Sequence, residues 1–184
     1  MNEVIRFAPN TLADSDIVWL YREGVEFNSV TGGWIQNPLC GGAGLATKDT
    51  DKMYCKVQGN TSNEAAYGFR TNNKVTLSGI TTLKMNVRYK RATAHSYVGQ
   101  AWLTLDSTLI VGQEGVTDPG GNSTASTYNG VSVNSYTEAT MSLNVSSLNG
   151  TYNIHCFVRD AIRNPAGGAD ANCEMEILKI WGEK

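Results

Sequence analysis

Three glutamates have the residue type and the positions that glycan cleavage would require. Hydrolysis of a glycosidic bond uses two carboxyl groups, roughly 5 to 9 Å apart, on either side of the bond. Glu138, Glu174 and Glu176 fall on predicted strands, and Glu138 and Glu174 could face a common surface. Each is also an ordinary outward-facing strand residue, so a glycan-cleaving enzyme on a jelly-roll scaffold is the alternative interpretation.

The two histidines, His95 and His155, are the residues that could activate a nucleophile. Cys156 is the nucleophilic residue nearest to His155 in the sequence. Neighbouring residues of a strand point to opposite faces, so these two side chains do not cooperate directly. The chain is therefore predicted not to be an enzyme.

A structural calcium ion is the one cofactor that the acidic residues suggest. Asp170 and Glu174 flank the start of the last predicted strand, and Glu3 lies near the other end of the chain. Carboxylate oxygens suit calcium, although this spacing is not that of a calcium-binding motif.

The cysteines at positions 40, 55, 156 and 173 include no CxxC pair, so a zinc site is not predicted. Cys156 falls on an apolar strand face and Cys173 opens the next strand. We expect reduced, buried cysteines, with a Cys156–Cys173 disulfide as the alternative.

Aromatic residues near hydrogen-bonding residues offer a different kind of site. A sugar presents C–H faces that stack on aromatic rings and hydroxyls that bond to amide or guanidinium groups. Trp102, Tyr97 and Tyr128 are the aromatic candidates, with Gln100 and Arg88 as polar partners. Core packing is the commoner role of such rings. Tyr128 is the exception, because it lies in a long polar loop predicted over Gly112–Ser135, with a short strand predicted inside it at Gly130–Val133.

The elements that must position these residues are strands, because the apolar residues recur with a period of two. Three consecutive strands are predicted over Tyr136–Val145, Thr151–Asp160 and Cys173–Trp181. Near the N-terminus, the alternation over Ile17–Arg22 places Ile17, Trp19 and Tyr21 on one face. The predicted core contains Leu83, Met85, Val87, Met141, Leu143, Val145, Tyr152, Ile154 and Ile177.

Ten or more short strands and no long helical run predict an all-β fold, a two-sheet antiparallel β-sandwich of jelly-roll type. The 184 residues fit one domain, 1–184. A net charge of −2 gives no electrostatic footprint for nucleic acid or for a membrane surface, and no apolar run is long enough to span a membrane. The N-terminus carries no secretory signal, which predicts cytoplasmic synthesis.

Five segments of the chain have a recognisable pattern: the sheet entry Val75–Leu83, the run Met141–Tyr152, the last strand ending Leu178–Trp181, and the N-terminal Leu20-Tyr21 and Val30–Trp34. Together these segments resemble jelly-roll domains in tail-associated proteins of phages and prophages of Gram-positive bacteria. The resemblance implies a non-catalytic module of a phage tail, baseplate or surface-associated protein, on a virion or encoded by a prophage. The partners it implies are cell-surface polysaccharide, other tail or surface proteins, and further copies of the same chain.

Overall fold

The described part of the chain consists almost entirely of β-strands. The structure is a computed structural model that describes residues 14–40, 43–49, 51–59, 65–91, 100–105, 125–128, 135–160 and 171–184. A 3-10 turn spans Asp14–Asp16, and a single helical turn, α1, spans Asn28–Thr31. The strands are β1 (Ile17–Arg22), β2 (Val25–Glu26), β3 (Trp34–Cys40), β4 (Ala43–Lys48), β5 (Met53–Gly59), β6 (Ala65–Thr71), β7 (Val75–Thr76), β8 (Thr82–Arg91), β9 (Gln100–Leu105), β10 (Ala125–Tyr128), β11 (Thr137–Asn144), β12 (Thr151–Tyr152), β13 (Ile154–Asp160) and β14 (Ala171–Glu183).

The long strand β14 organises the larger of the two main sheets. One edge of β14 pairs with β8, while the other edge pairs first with β5 and then with β1. Strands β11, β2 and β4 extend this sheet to seven strands. The second sheet has the order β10-β9-β13-β6-β3, and β12 pairs separately with β7. All of these pairs are antiparallel, which confirms the predicted two-sheet antiparallel sandwich of jelly-roll type.

The core lies between the two sheets and is made by alternate residues of the central strands. Eight of the nine residues predicted for the core are buried, and the ninth, Tyr152, is partly buried against it. The second sheet contributes Leu103, Leu105, Ile154, Cys156 and Val158 to this core. Burying a large aliphatic side chain contributes about 1.5–3 kcal/mol, so this layer is the main source of stability.

Two predicted segments differ from the structure. In the loop predicted over 112–135, strand β10 pairs with β9 and lies before the predicted short strand at 130–133, which falls outside the described residues. The strand predicted over 151–160 is divided at Asn153, because β12 pairs with β7 while β13 joins the five-stranded sheet. No helix within the described ranges is long and apolar enough to cross a membrane.

A β-bulge at Leu178 changes which residues of β14 face outward. Ile177 and Lys179 of β14 pair with two consecutive residues of β8, Val87 and Asn86. Leu178, between them, therefore has no partner position on β8 and is the bulged residue. The buried positions of β14 are odd-numbered before the bulge and even-numbered after it. A bulge has this effect because it adds one residue to a pattern with a period of two.

A second bulge, at Leu20 in β1, faces the same part of the sheet. Trp19 pairs with Trp181, and Tyr21 pairs with Ile180, so Leu20 has no partner position on β14. Leu20 and Tyr21 are both buried although they are consecutive.

The bulge in β1 corrects one sequence prediction. Ile17, Trp19 and Tyr21 do not share a face, because the extra residue turns Tyr21 into the core. There the Tyr21 hydroxyl accepts a hydrogen bond from the backbone N–H of Met53, at 3.0 Å. Arg22 is consequently exposed on the outer face, near Trp19.

The backbone carbonyls of both extra residues accept hydrogen bonds. The Leu20 carbonyl accepts from the indole Nε1–H of Trp34 at 3.2 Å and from the backbone N–H of Phe27 at 3.5 Å. The Leu178 carbonyl accepts from the backbone N–H of Glu23 at 2.8 Å. Because buried carbonyls without partners are costly, these bonds stabilise the two bulges.

Gly68 sits at a close approach between β6 and β13. It pairs with Phe157, whose ring is fully buried on the outer face of the five-stranded sheet. A Cβ atom at Gly68 would collide with the backbone carbonyl of Cys156 and with the Cα and Cβ atoms of Phe157. The close approach therefore requires glycine at this position.

Gly68→Ala is expected to lower the free energy of unfolding by about 2–3 kcal/mol, because the atoms it meets are backbone atoms that must shift. Urea unfolding midpoints measure the change. Gly79→Ala is the matched control, since a Cβ there meets nothing within 4 Å. Its only expected cost is that of placing alanine at a φ of +80°, about 1 kcal/mol. Equal midpoints for the two variants would contradict the close approach at Gly68.

Candidate functional site

Trp102, predicted to offer a ring to a sugar, is buried. It lies on β9 opposite Phe157 of β13, and only 2% of it is exposed. The two rings stack with centroids 5.9 Å apart and planes 3° apart. The Arg159 guanidinium lies 5.8 Å from the centroid of the Trp102 ring. Core packing, the commoner interpretation of this ring, therefore holds for Trp102, because cross-strand stacking and burial keep the ring away from solvent.

Arg88, predicted as a polar partner of these aromatics, belongs to the other sheet. It lies on β8, and its guanidinium nitrogens are 3.9 Å from the carboxylates of Glu138 and Glu176. Trp102 and Arg88 thus lie on different sheets and do not contribute to one site. Glu138 and Glu176, two of the acids considered for catalysis, are paired through the same Arg88.

The backbone register places two of the remaining predicted ligand residues. Gln100 of β9 lies opposite Arg159, and Tyr128 of β10 lies opposite Ala101. The prediction for Tyr97 falls outside the described residues. Whether Gln100, Tyr128 and Tyr97 contact a ligand stays a prediction.

Glu174 is held by cations and hydroxyls on the outer face of the seven-stranded sheet. Its carboxylate lies 3.1 Å from Lys90 Nζ and 3.5 Å from Lys56 Nζ, and the Tyr136 hydroxyl donates to it at 3.1 Å. Burial alone raises the pKa of Glu174. Hydrogen bonds from Lys90, Tyr136 and Tyr54 lower this pKa by a larger amount, so the net shift is downward. A glycosidase acid requires a raised pKa, and Glu174 has the opposite environment.

The predicted calcium ligands are divided between described and undescribed parts of the chain. Glu3 and Asp170 lie outside the described residues, and Glu174 is bound by Lys56 and Lys90. In the part that the structure describes, no group of three His, Cys, Asp or Glu side chains could hold a metal ion. A calcium ion at Glu174 would compete with two ammonium groups, and the calcium site stays a prediction.

The cysteines that the structure describes with their side chains are buried. Cys55, Cys156 and Cys173 are free thiols, and burial raises the pKa of Cys55 and Cys156, which makes both poor nucleophiles. Cys156 and Cys173 lie on different sheets. Cys156 packs in the hydrophobic core, and its neighbour His155 is also buried.

Three partly exposed rings, Phe27, Trp19 and Trp181, form a row on the outer face of the seven-stranded sheet, which we call the aromatic strip. The Trp19 ring stacks on Phe27 with centroids 6.3 Å apart and planes 22° apart. On its other side, the Trp19 and Trp181 centroids are 6.0 Å apart, with planes tilted by 42°. The aromatic strip therefore offers adjacent apolar surfaces that solvent can reach.

The two bulges create the aromatic strip. Without the extra residue Leu178, strict alternation would turn Trp181 into the core. The backbone N–H of Phe27 donates to the Leu20 carbonyl, which brings the Phe27 ring beside Trp19. Local backbone geometry, and not only the apolar pattern, thus sets the positions of the three rings.

Charged groups border the aromatic strip. The Trp181 Nε1–H donates to Glu183 Oε1 at 3.0 Å, and Lys84 Nζ lies 2.9 Å from the same oxygen. The Arg22 guanidinium lies 5.6 Å from the Trp19 ring centroid. Burial raises the pKa of Glu183, but hydrogen bonds from Lys84 and Trp181 outweigh it and lower the pKa overall.

Sequence reasoning missed the aromatic strip, although the sequence contains a signal for it. In the alternating sequence of β14, Ile177 and Leu178 are consecutive apolar residues, a pattern that indicates a bulge. Interpreting this pair as a bulge would have turned Trp181 outward. The sequence Ile17–Tyr21 is apolar throughout and gives no such signal for the bulge at Leu20. The stacking of Phe27 had no such signal, because it depends on a hydrogen bond to a carbonyl.

Trp102→Phe is expected to change the free energy of unfolding by less than about 1 kcal/mol. Among the described residues no acceptor reaches the buried Trp102 Nε1–H. An unsatisfied buried donor costs about 1–3 kcal/mol, so removing it offsets the packing energy that is lost with the smaller phenyl ring. Trp102→Ala, the matched comparison, removes the stacking on Phe157 and should cost about 3–5 kcal/mol. Guanidinium unfolding curves measure both, and equal losses would show that the indole N–H has a partner.

Stability is expected to fall in acid, because Glu174 and Glu183 have lowered pKa values in the folded state. Their ion pairs stabilise fully above about pH 4.5 and lose this contribution as the pH falls through the folded pKa values. Thermal melting from about pH 7 to 3 should show a smaller acid-induced drop for Glu174→Gln than for the parent. The same substitution at the exposed turn residue Glu23 is the control, and a parent-like profile for Glu174→Gln would refute the assignment.

No protein-family model matches the chain, and no curated protein matches it. Solved structures do show similarity. A carbohydrate-binding module, from a study of promiscuous specificity in the β-sandwich superfamily, gives a TM-score of 0.45 at 11% identity, over 84% of this chain and 59% of that one. The chain therefore spans less than two thirds of that structure's length.

Two further structures are similar in the same way. TmCBM61, solved in complex with β-1,4-galactotriose, gives a TM-score of 0.42 at 9% identity, over 89% of this chain and all of that one. PfGH50B gives a TM-score of 0.48 at 11% identity, over 85% of this chain but only 23% of that one. None of these three connects the chain with phage tail proteins, so that context stays a prediction.

Proposed function

We propose that this chain is a non-catalytic β-sandwich module that binds a carbohydrate chain on the outer face of its seven-stranded sheet. The observation that carries the proposal is the aromatic strip, three partly exposed rings in a row at the outer face of the seven-stranded sheet. Single exposed apolar residues are common on protein surfaces, but a contiguous row of three indicates a contact site.

The arrangement suits the chemistry of a sugar. The C–H faces of a pyranose are apolar and stack on aromatic faces, while its hydroxyls require hydrogen-bonding groups at the edge of the ring. Phe27, Trp19 and Trp181 supply apolar ring surface, and the bordering Arg22 supplies donors. The ring spacings of 6.0 and 6.3 Å are close to the length of one sugar residue in a chain.

The extent of the surface favours a polysaccharide over a single sugar. Ser142, Lys84, Trp181 and Trp19 lie opposite one another on four neighbouring strands. With strands about 4.8 Å apart, this row alone is about 14 Å long, and Phe27 lies beyond Trp19. Several consecutive sugar residues can therefore contact the face.

The charges on the same face argue against the enzymatic alternative. Glu138 and Glu176 are paired with Arg88, and Glu174 is paired with Lys56 and Lys90. Hydrogen bonds from Lys90, Tyr136 and Tyr54 lower the pKa of Glu174, whereas cleavage requires a carboxyl group that holds a proton near neutral pH.

The proposed carrier is a phage tail, baseplate or bacterial surface protein, with synthesis in the cytoplasm, and its support is the sequence resemblance alone. In that setting the polysaccharide would belong to a bacterial cell surface. Carbohydrate binding by the aromatic strip does not depend on this context.

Binding is tested first on a glycan array that includes bacterial cell-wall polysaccharides, and then by calorimetry on the glycans that are retained. Trp19→Ala and Trp181→Ala are each expected to weaken binding roughly tenfold or more, because stacking on an exposed ring contributes on the order of 1–2 kcal/mol.

Tyr136→Ala is the matched control, since Tyr136 is an exposed aromatic at the ion-paired end of the same face. Melting temperatures confirm that each variant is folded. A silent array, or binding that survives both tryptophan substitutions, would refute the proposed site.

A further inference from the structure

Two cations lie side by side next to the aromatic strip. Arg22 of β1 pairs directly with Lys179 of β14, and both side chains are exposed. Lys179 lies two residues before Trp181, and the Arg22 guanidinium is 5.6 Å from the Trp19 ring centroid. The two cations therefore border the row of rings on one side.

The other cations on the central strands of this face are neutralised. The ammonium groups of Lys56, Lys84 and Lys90 lie 2.9 to 3.5 Å from glutamate carboxylates. The guanidinium of Arg88 lies 3.9 Å from two carboxylates.

Arg22 and Lys179 differ from this pattern. Across the ranges that the structure describes, no carboxylate oxygen lies within ion-pairing distance of either side chain. The nearby acids are engaged elsewhere: Glu26 is 2.7 Å from Lys48, and Glu183 is 2.9 Å from Lys84. Glu23, the next residue after Arg22, forms no ion pair with it.

An unmatched pair of like charges requires an explanation on a face that is otherwise matched. Like charges directly opposite each other on neighbouring strands destabilise a sheet. The fold gains no described contact from Lys179, whereas an anion between the two cations would relieve their repulsion. A guanidinium can also bind a carboxylate or sulfate through two parallel hydrogen bonds.

We infer that the polysaccharide bound by this face is anionic. This inference rests on the proposed function: a sugar ring stacks on the aromatic strip while its acidic group, a carboxylate or a sulfate, lies between Arg22 and Lys179. The protein's net charge of −2 would not by itself attract a polyanion, so the attraction is local to these two residues.

Matched polymer pairs test the inference, with affinity electrophoresis and calorimetry as readouts. Polygalacturonate and its methyl ester form the carboxylate pair, and dextran sulfate and dextran form the sulfate pair. In at least one pair the anionic polymer should bind roughly tenfold more tightly than its neutral partner, with an advantage that shrinks as salt is added. The pair that shows the preference identifies the acidic group.

Variants locate the preference. The double variant Arg22→Gln/Lys179→Gln should lose the preference for the anionic polymer. Its melting temperature should stay close to that of the parent, which shows that it remains folded. Arg70→Gln/Lys74→Gln, on β6 and the turn after it, removes the same two charges elsewhere and should keep the preference. Trp19→Ala should weaken binding of the anionic polymer as well, which separates recognition from simple ion exchange.

Two results would overturn the inference and are distinguishable from failure of the proposed function. Equal binding of both members of each pair, or loss of preference in the Arg70/Lys74 control, would exclude an acidic specificity at Arg22 and Lys179. If the protein binds none of the four polymers but retains a neutral glycan on the array, the acidic specificity is also excluded. The proposed carbohydrate binding would then remain intact. A silent array would remove both proposals together.

Discussion

Backbone pairing along β14 is the constraint on which the rest of the structure depends. This strand pairs with β8 on one edge and with β5 and then β1 on the other. The change of partner coincides with the bulge at Leu178, whose carbonyl accepts a hydrogen bond from Glu23. Because a bulge reverses the outward-facing set of residues, the same strand presents glutamates before this point and Lys179 and Trp181 after it.

The outer face of the seven-stranded sheet is therefore divided into two chemically different regions. Toward one end, carboxylates and cations alternate across strands and satisfy one another, as at Glu174 with Lys56 and Lys90. Exposed pairs of this kind contribute little stability each, but they leave no charge available for a ligand. Toward the other end, the aromatic rings are partly exposed and two cations have no described carboxylate partner. Such a surface has the expected character of a binding surface.

The fold could be predicted from the sequence because burial on one side of a sheet imposes a period of two. Leu83, Met85 and Val87 show this directly, and the structure places them in the core. The site could not be predicted in the same way, because one extra residue at Leu20 or Leu178 exchanges inside and outside. Trp102 illustrates the other limit, because its burial involves a cross-strand contact with Phe157 that local sequence does not encode.

The separation of the aromatic strip from the core has an evolutionary consequence. Trp19, Arg22, Lys179 and Trp181 do not belong to the cluster of buried residues between the sheets. Substitutions at these positions do not repack the interior, so under the proposed function ligand preference could diverge quickly among descendants of one scaffold. The bulges are different, since losing either would reverse the faces of a strand, and they should persist while the residues around them change.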